Sequence, residues 1–167
     1  MGRAIIVRMD AGEDRVDRAA RLCRSHGVLA LYLFGSRADD GLRMRAGKSA
    51  PGGGSDLDVG VVFDQAAIDH RRLAGLQVAL EELFAPLRVD LVPLERVDAI
   101  FQFQAIDGHR VVTTDPHRAD LFELEVMRRA AELLPLQRAR ERDVFGAFRR
   151  RKPRPPRGVA EHGPVPG

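Results

Sequence analysis

The chain has no tryptophan, a single tyrosine (Tyr32) and a single cysteine (Cys23). One cysteine excludes an internal disulfide framework and a cysteine-based zinc site, and it fits a reducing compartment. No apolar run approaches the ~20 residues of a membrane-spanning helix. The start, Met1 to Arg8, has too short an apolar core for a secretory signal. These absences make a cytoplasmic location the expectation. Lysine is nearly missing as well. Lys48 and Lys152 are the only two, so arginine carries almost all the positive charge.

The net charge of +3 is unevenly placed. Residues 149–167 hold six basic side chains and one acidic one; the rest of the chain holds 21 basic and 23 acidic, a net charge of −2. The body therefore gives no electrostatic case for nucleic-acid binding, and only the basic tail could make such contact. With 167 residues, 44% of them hydrophobic, the chain can bury one domain-sized core and is too apolar for general disorder.

Periodicity then divides the chain. Glu13 to His26 has apolar residues at helical spacing, acids in the first turn and Gly27 as a stop. Residues 1–10 give no clear reading, with Ala4 to Val7 either a short strand or a loose end. Val28 to Phe34 reads as a buried strand. Arg37 to Asp40 suggests a short helical turn, and Gly41 to Gly54 a loop. A second strand is expected over Leu57 to Phe63. A helix from about Ala66 to Phe84 carries Leu73, Leu76, Leu80 and Leu83 on one face. A third strand covers Arg88 to Pro93, a short helix Val97 to Ile106, and a fourth strand Val111 to Thr114. Pro116 opens a long C-terminal helix, with Pro135 expected to kink or break it before about Arg149. The reading is an α/β (α+β) domain over residues 1–148 and a disordered, proline- and arginine-rich tail over residues 149–167. The sheet is small and mixed, with about four strands flanked by helices.

Chemistry concentrates between Phe34 and Asp90. Asp56 and Asp58 are two apart, so on a strand both leave the same face, and such close like charges favour a cation between them. Asp90 lies in an apolar strand, where a charge needs a partner. If the third strand lies beside the second, Asp90 reaches the same face. Asp56, Asp58 and Asp90 would then suit Mg²⁺, a hard cation that takes oxygen ligands and keeps waters or phosphates. Gly35-Ser36 directly after a strand offers backbone N–H groups and a hydroxyl to phosphate oxygens, and Arg37 can add charge. These parts describe metal-assisted phosphoryl or nucleotidyl transfer. Each has a plain structural alternative: a common turn, a solvated strand edge, an exposed edge acid. His70, His109 and His117 have no mutual spacing that suggests a metal site. Cys23 on an apolar helix face and Tyr32 within a strand are expected in the core.

Phe34-Gly35-Ser36-Arg37, followed by Ser55-Asp56-Leu57-Asp58-Val59-Gly60-Val61, resembles the signature of the DNA polymerase beta-like nucleotidyltransferases. Within them it is similar to the minimal nucleotidyltransferases, small prokaryotic domains that include the MntA-type antitoxins. Asp90 in Val89-Asp90-Leu91 matches the family's third acid, and Ala105 to Val112 resembles its turn into the last strand. The resemblance covers roughly residues 13–140. One departure is the spacer. Nineteen residues separate Ser36 from Asp56, more than in the family. The excess lies in the glycine- and proline-rich Arg43 to Gly54, which can bulge out because closure entropy grows slowly with length.

The resemblance implies a nucleotidyltransferase fold and a division of roles. Asp56, Asp58 and Asp90 hold Mg²⁺, and Asp90 helps to deprotonate the attacking hydroxyl. Gly35, Ser36 and Arg37 bind the triphosphate of ATP or another nucleoside triphosphate. In MntA-type pairs the acceptor is a tyrosine of a HEPN-type ribonuclease toxin, silenced by adenylylation. Two other readings stay open: transfer to a small-molecule hydroxyl such as an aminoglycoside, and a non-catalytic module that covers a toxin.

Overall fold

The structure is a computed structural model of the full chain; it describes residues 11–49, 54–64 and 69–150. The element order is α1 (Ala11–Ser25), β1 (Val28–Phe34), a 3-10 turn (Gly35–Arg37), α2 (Ala38–Arg45), β2 (Leu57–Phe63), α3 (His70–Leu83), β3 (Val89–Pro93), α4 (Ala99–Ile106), β4 (His109–Thr113) and α5 (Pro116–Arg150). A second 3-10 turn, Leu94–Arg96, leaves β3. The chain divides into two compact units, Met1–Leu133 and Leu134–Gly167. The expected first strand at Ala4 to Val7 and all of the tail beyond Arg150 lie outside the described residues.

Four strands form one mixed sheet in the order β3-β2-β1-β4. β1 is antiparallel to both neighbours, and β2 and β3 run parallel. Every residue of β1 is buried, which is why its sequence is apolar throughout rather than alternating. One face of the sheet packs Leu31, Leu33, Leu57, Val59 and Val61 against Ala19 and Cys23 of α1 and Leu76, Leu80 and Leu83 of α3. The other packs Ala30, Tyr32, Phe34 and Val62 against Ala105 of α4 and Ala119 of α5, with Leu94 between. The α3 leucines expected on one face are those that are buried, with Leu73 partly so. Asp69 and Asp98 cap α3 and α4 through their carboxylates, satisfying first-turn N–H groups.

Two expectations change. Gly41 to Arg45 is not loop but the second half of α2. A Cβ at Gly41 would lie 2.8 Å from Leu33 Cδ1 and 3.0 Å from Leu57 Cδ1. The glycine lets α2 press against the sheet, and Met44 is buried beneath it. A glycine chosen for close packing looks, in sequence, like one chosen for a turn. Pro135 does not break α5, which runs on past it to Arg150.

Tyr32 ties the sheet to α5. Its hydroxyl donates to Glu123 Oε1 at 2.9 Å, and Arg110 donates to the same carboxylate oxygen at 3.2 Å and to Asp120 at 2.6 Å. Burial, and then the Glu123 bond, push the phenol well above its usual range. Tyr32→Phe should lower stability by only about 1 kcal/mol, because Glu123 keeps Arg110 and is not left unsatisfied. The denaturant midpoint measures this; a loss several times larger would mean that the hydroxyl organises the whole α5 contact.

Candidate active site

Strand directions gather the chemistry at one end of the sheet. β1 finishes there at Phe34, and the antiparallel β2 begins there, with Phe34 paired to Asp58. The parallel β3 begins at the same end, with Asp58 paired to Asp90. The antiparallel β4 starts there too, with Leu33 paired to His109. The third strand thus does lie beside the second. Alternation places Asp58 and Asp90 on the face of Val62 and Val92, the α4 side of the sheet.

The turn after β1 is fixed by Gly35, whose φ is +72°. A Cβ there would sit 2.1 Å from Asp58 Oδ2, so the carboxylate lies directly against the glycine. This position demands glycine on two grounds at once: a left-handed backbone and an oxygen in the side-chain space. Ser36 follows, exposed, and its hydroxyl shares a hydrogen bond of 2.8 Å with that of Ser55. That bond closes the neck of the long spacer. Nineteen residues leave and return without separating the Gly-Ser turn from the acids.

Arg37 sits differently from the other two residues of the turn. It is buried, its Nε is 2.7 Å from Asp40 Oδ2, and its NH1 lies 2.9 Å from where a Cβ of Gly54 would be. The guanidinium braces the first turn of α2 through Asp40 and occupies the side-chain space at Gly54, where the spacer returns.

Asp58 is half-buried, whereas Asp56 and Asp90 are exposed. Burial first, then the charges of Asp90 and Asp56, raise the Asp58 carboxyl above its ordinary range. The three acids share one end and one electrostatic field. Among the described residues, however, no three acidic, histidine or cysteine side chains already stand grouped as a metal site. The donor set still fits a hard cation. Mg²⁺ needs only one or two carboxylates when phosphate oxygens and water complete its shell, and a dication would relieve the strain at Asp58.

A cleft of about 320 Å³ opens on the other side of the Gly-Ser turn. Gly35 and Ser36 line it with Asp39, Gln104, Asp107 and His109. His109 Nε2 is 3.1 Å from Asp39 Oδ1. Sequence reasoning missed these four residues, having weighed His109 only for spacing to other histidines. The available signal was its place just after the Asp107-Gly108 turn. A second cleft, of about 360 Å³, lies where Thr114, Asp115 and Asp64 meet, at the far end of the strands. It contains the Arg118–Asp64 ion pair and none of the expected site residues.

Residues 19–117 match the family model described as Polymerase beta, Nucleotidyltransferase. No curated protein matches. Among solved structures, a mutant of the MntA-HpeT toxin–antitoxin aligns with a TM-score of 0.59 at 20% identity, over 78% of this chain and 98% of that one. A tri-AMPylated Shewanella oneidensis HEPN toxin in complex with MNT antitoxin aligns with a TM-score of 0.57 at 19% identity, over 80% and 98%. A toxin–antitoxin structure with AMP-PNP gives 0.58 at 21% identity, over 78% and 98%. At such identities the likeness is one of fold.

Proposed function

This chain belongs to the polymerase beta nucleotidyltransferase family, and from that premise we propose that it moves AMP from ATP to a hydroxyl, most simply a tyrosine on a HEPN-type toxin, as an antitoxin. The observation that carries the chemistry is the seating of Asp58 against Gly35, with Asp90 its register partner. That contact supports a reading in which the Gly35-Ser36 turn holds a triphosphate beside the acids. The antitoxin role rests on the fold shared with toxin–antitoxin structures, one of them AMPylated.

In this reading Gly35 and Ser36 hold the triphosphate through backbone N–H groups and the Ser36 hydroxyl. Arg37, buried and paired to Asp40, holds the turn in shape for the triphosphate rather than meeting its outer phosphates. Asp56, Asp58 and Asp90 hold Mg²⁺, which when bound neutralises phosphate charge and polarises the reacting phosphoryl group. Asp90, on the exposed outer strand, takes the proton of the attacking hydroxyl. The oxygen bonds to the α-phosphorus and pyrophosphate leaves with the electron pair of the broken P–O bond. The reaction is assigned to residues 1–148, with the basic tail of residues 149–167 outside it. A cytoplasmic setting, where ATP is abundant, belongs to the same reading; no described helix is long and apolar enough to cross a membrane.

The test uses purified chain, Mg²⁺, ATP and a HEPN-type protein encoded next to it, read by intact mass. The expected result is a partner heavier by one or more AMP units, with the modification on tyrosine. An unmodified partner, with AMP instead appearing on a small-molecule hydroxyl, would overturn the antitoxin reading and leave the chemistry standing.

A further inference from the structure

The Gly35-Ser36 turn has two sides. On the β2 side, Asp58 fills the space a side chain at Gly35 would take. On the β4 side lies the cleft of about 320 Å³. Strand order puts these sides in opposite directions, because β2 and β4 flank β1. For a triphosphate resting on the turn with its α-phosphorus near the acids, this cleft is the open space beside the turn for its outer phosphates. Pyrophosphate departing after transfer occupies the same space.

Outer phosphates need positive charge there, and the cleft supplies one source. Of the residues that line it, His109 is the one able to carry a positive charge. Arg37 is buried and ion-paired with Asp40. The backbone leading into His109 is tightly set, while its side chain is exposed. A Cβ on the preceding Gly108 would lie 2.4 Å from the Leu33 carbonyl oxygen, so the start of β4 is pressed onto the end of β1. Asp39 orients the ring through Nε2 at 3.1 Å. In the doubly protonated ring, Nδ1–H is then the donor left for a ligand. The groups around it are Asp39 from α2, Ser36 from the turn, and Gln104 and Asp107 at the end of α4.

We propose that His109 binds the outer phosphates of the nucleoside triphosphate and the pyrophosphate leaving group, held in place by Asp39. This rests on the nucleotidyltransferase reading and adds a leaving-group subsite to it. No proton or electron is exchanged with the ring. His109 stabilises the oxygens that receive the electron pair as the P–O bond breaks.

The experiment is calorimetric titration of the full chain with ATP, pyrophosphate and AMP, each with Mg²⁺, for wild type, His109→Gln and His109→Lys. His109→Gln should weaken ATP and pyrophosphate roughly tenfold, the size of one charge-assisted hydrogen bond. AMP should bind as before, and His109→Lys should recover most of the loss. In turnover, His109→Gln should raise KM for ATP more than it lowers kcat. Equal binding of ATP by wild type and His109→Gln, a parallel loss of AMP, or no recovery with lysine overturns the subsite alone. A wild-type chain that binds neither ATP nor pyrophosphate overturns the nucleotidyltransferase reading, and this subsite with it.

Discussion

Asp58→Asn should lose transfer activity by more than the roughly 100-fold that removal of an outer-shell partner costs a metal site, while the fold becomes no less stable. The two effects have one cause. Asp58 is half-buried between Asp56 and Asp90, and its carboxyl is raised by burial and by both charges. A raised acid holds its proton at pH values where the unfolded chain has lost it. Its contribution to stability is therefore most favourable below the unfolded value near 4. It falls as pH rises from there through the higher folded value. At neutral pH the ionised carboxylate opposes folding, and asparagine of the same shape removes that opposition. Metal-free unfolding titrations at neutral pH should give an equal or higher midpoint for Asp58→Asn, and the variant should lack part of the wild-type fall between acidic and neutral pH. On the proposed metal-site reading, Mg²⁺ should stabilise the wild type, as any ligand of the folded state does, and should stabilise the variant less. A clear loss of metal-free stability in the variant would identify Asp58 as a structural partner and defeat the assignment.

Gly35→Ala should abolish turnover and also destabilise the protein, the opposite stability sign from Asp58→Asn. The backbone at Gly35 has φ +72°, where an L-residue other than glycine costs about 1–3 kcal/mol. The new methyl would stand 2.1 Å from Asp58 Oδ2, inside any tolerable contact, so the carboxylate or the turn must move. Either movement separates the Gly35-Ser36 turn from Asp58. The clash and the backbone strain can be told apart in a double-mutant cycle with Asp58→Ala. In the Asp58→Ala background the oxygen is gone, and the cost of Gly35→Ala should shrink toward the backbone strain alone. Additive unfolding free energies would mean that the two positions do not touch in solution. Transfer activity near that of wild type in Gly35→Ala would remove the Gly-Ser turn from the site altogether.

The β-branched, apolar stretch of Leu57 to Phe63, the apolar run of Val28 to Phe34 and the leucine spacing of α3 determined their elements locally, and the observed bounds of β1 and β2 are those expected. The same local information marked Gly35 as a turn, because backbone sterics act within a few residues, whereas Asp56, expected on the strand with Asp58, lies just before β2. Three things depended on contacts distant in sequence. Gly41 looked like loop until Leu33 and Leu57 were seen to need the space of its missing side chain. Arg37 read as a source of charge for phosphate, and only the structure shows that its guanidinium is buried beside Asp40 and Gly54, a consequence of how the spacer returns. His109 gave no signal by spacing, since its partner Asp39 is 70 residues away and meets it only because β4 pairs with β1. Side-chain period and turn sterics are local properties that a sequence carries openly. Which strand lies beside which is decided by burial of the whole sheet, and that pairing brought the acids, the glycine turn and the histidine to one end.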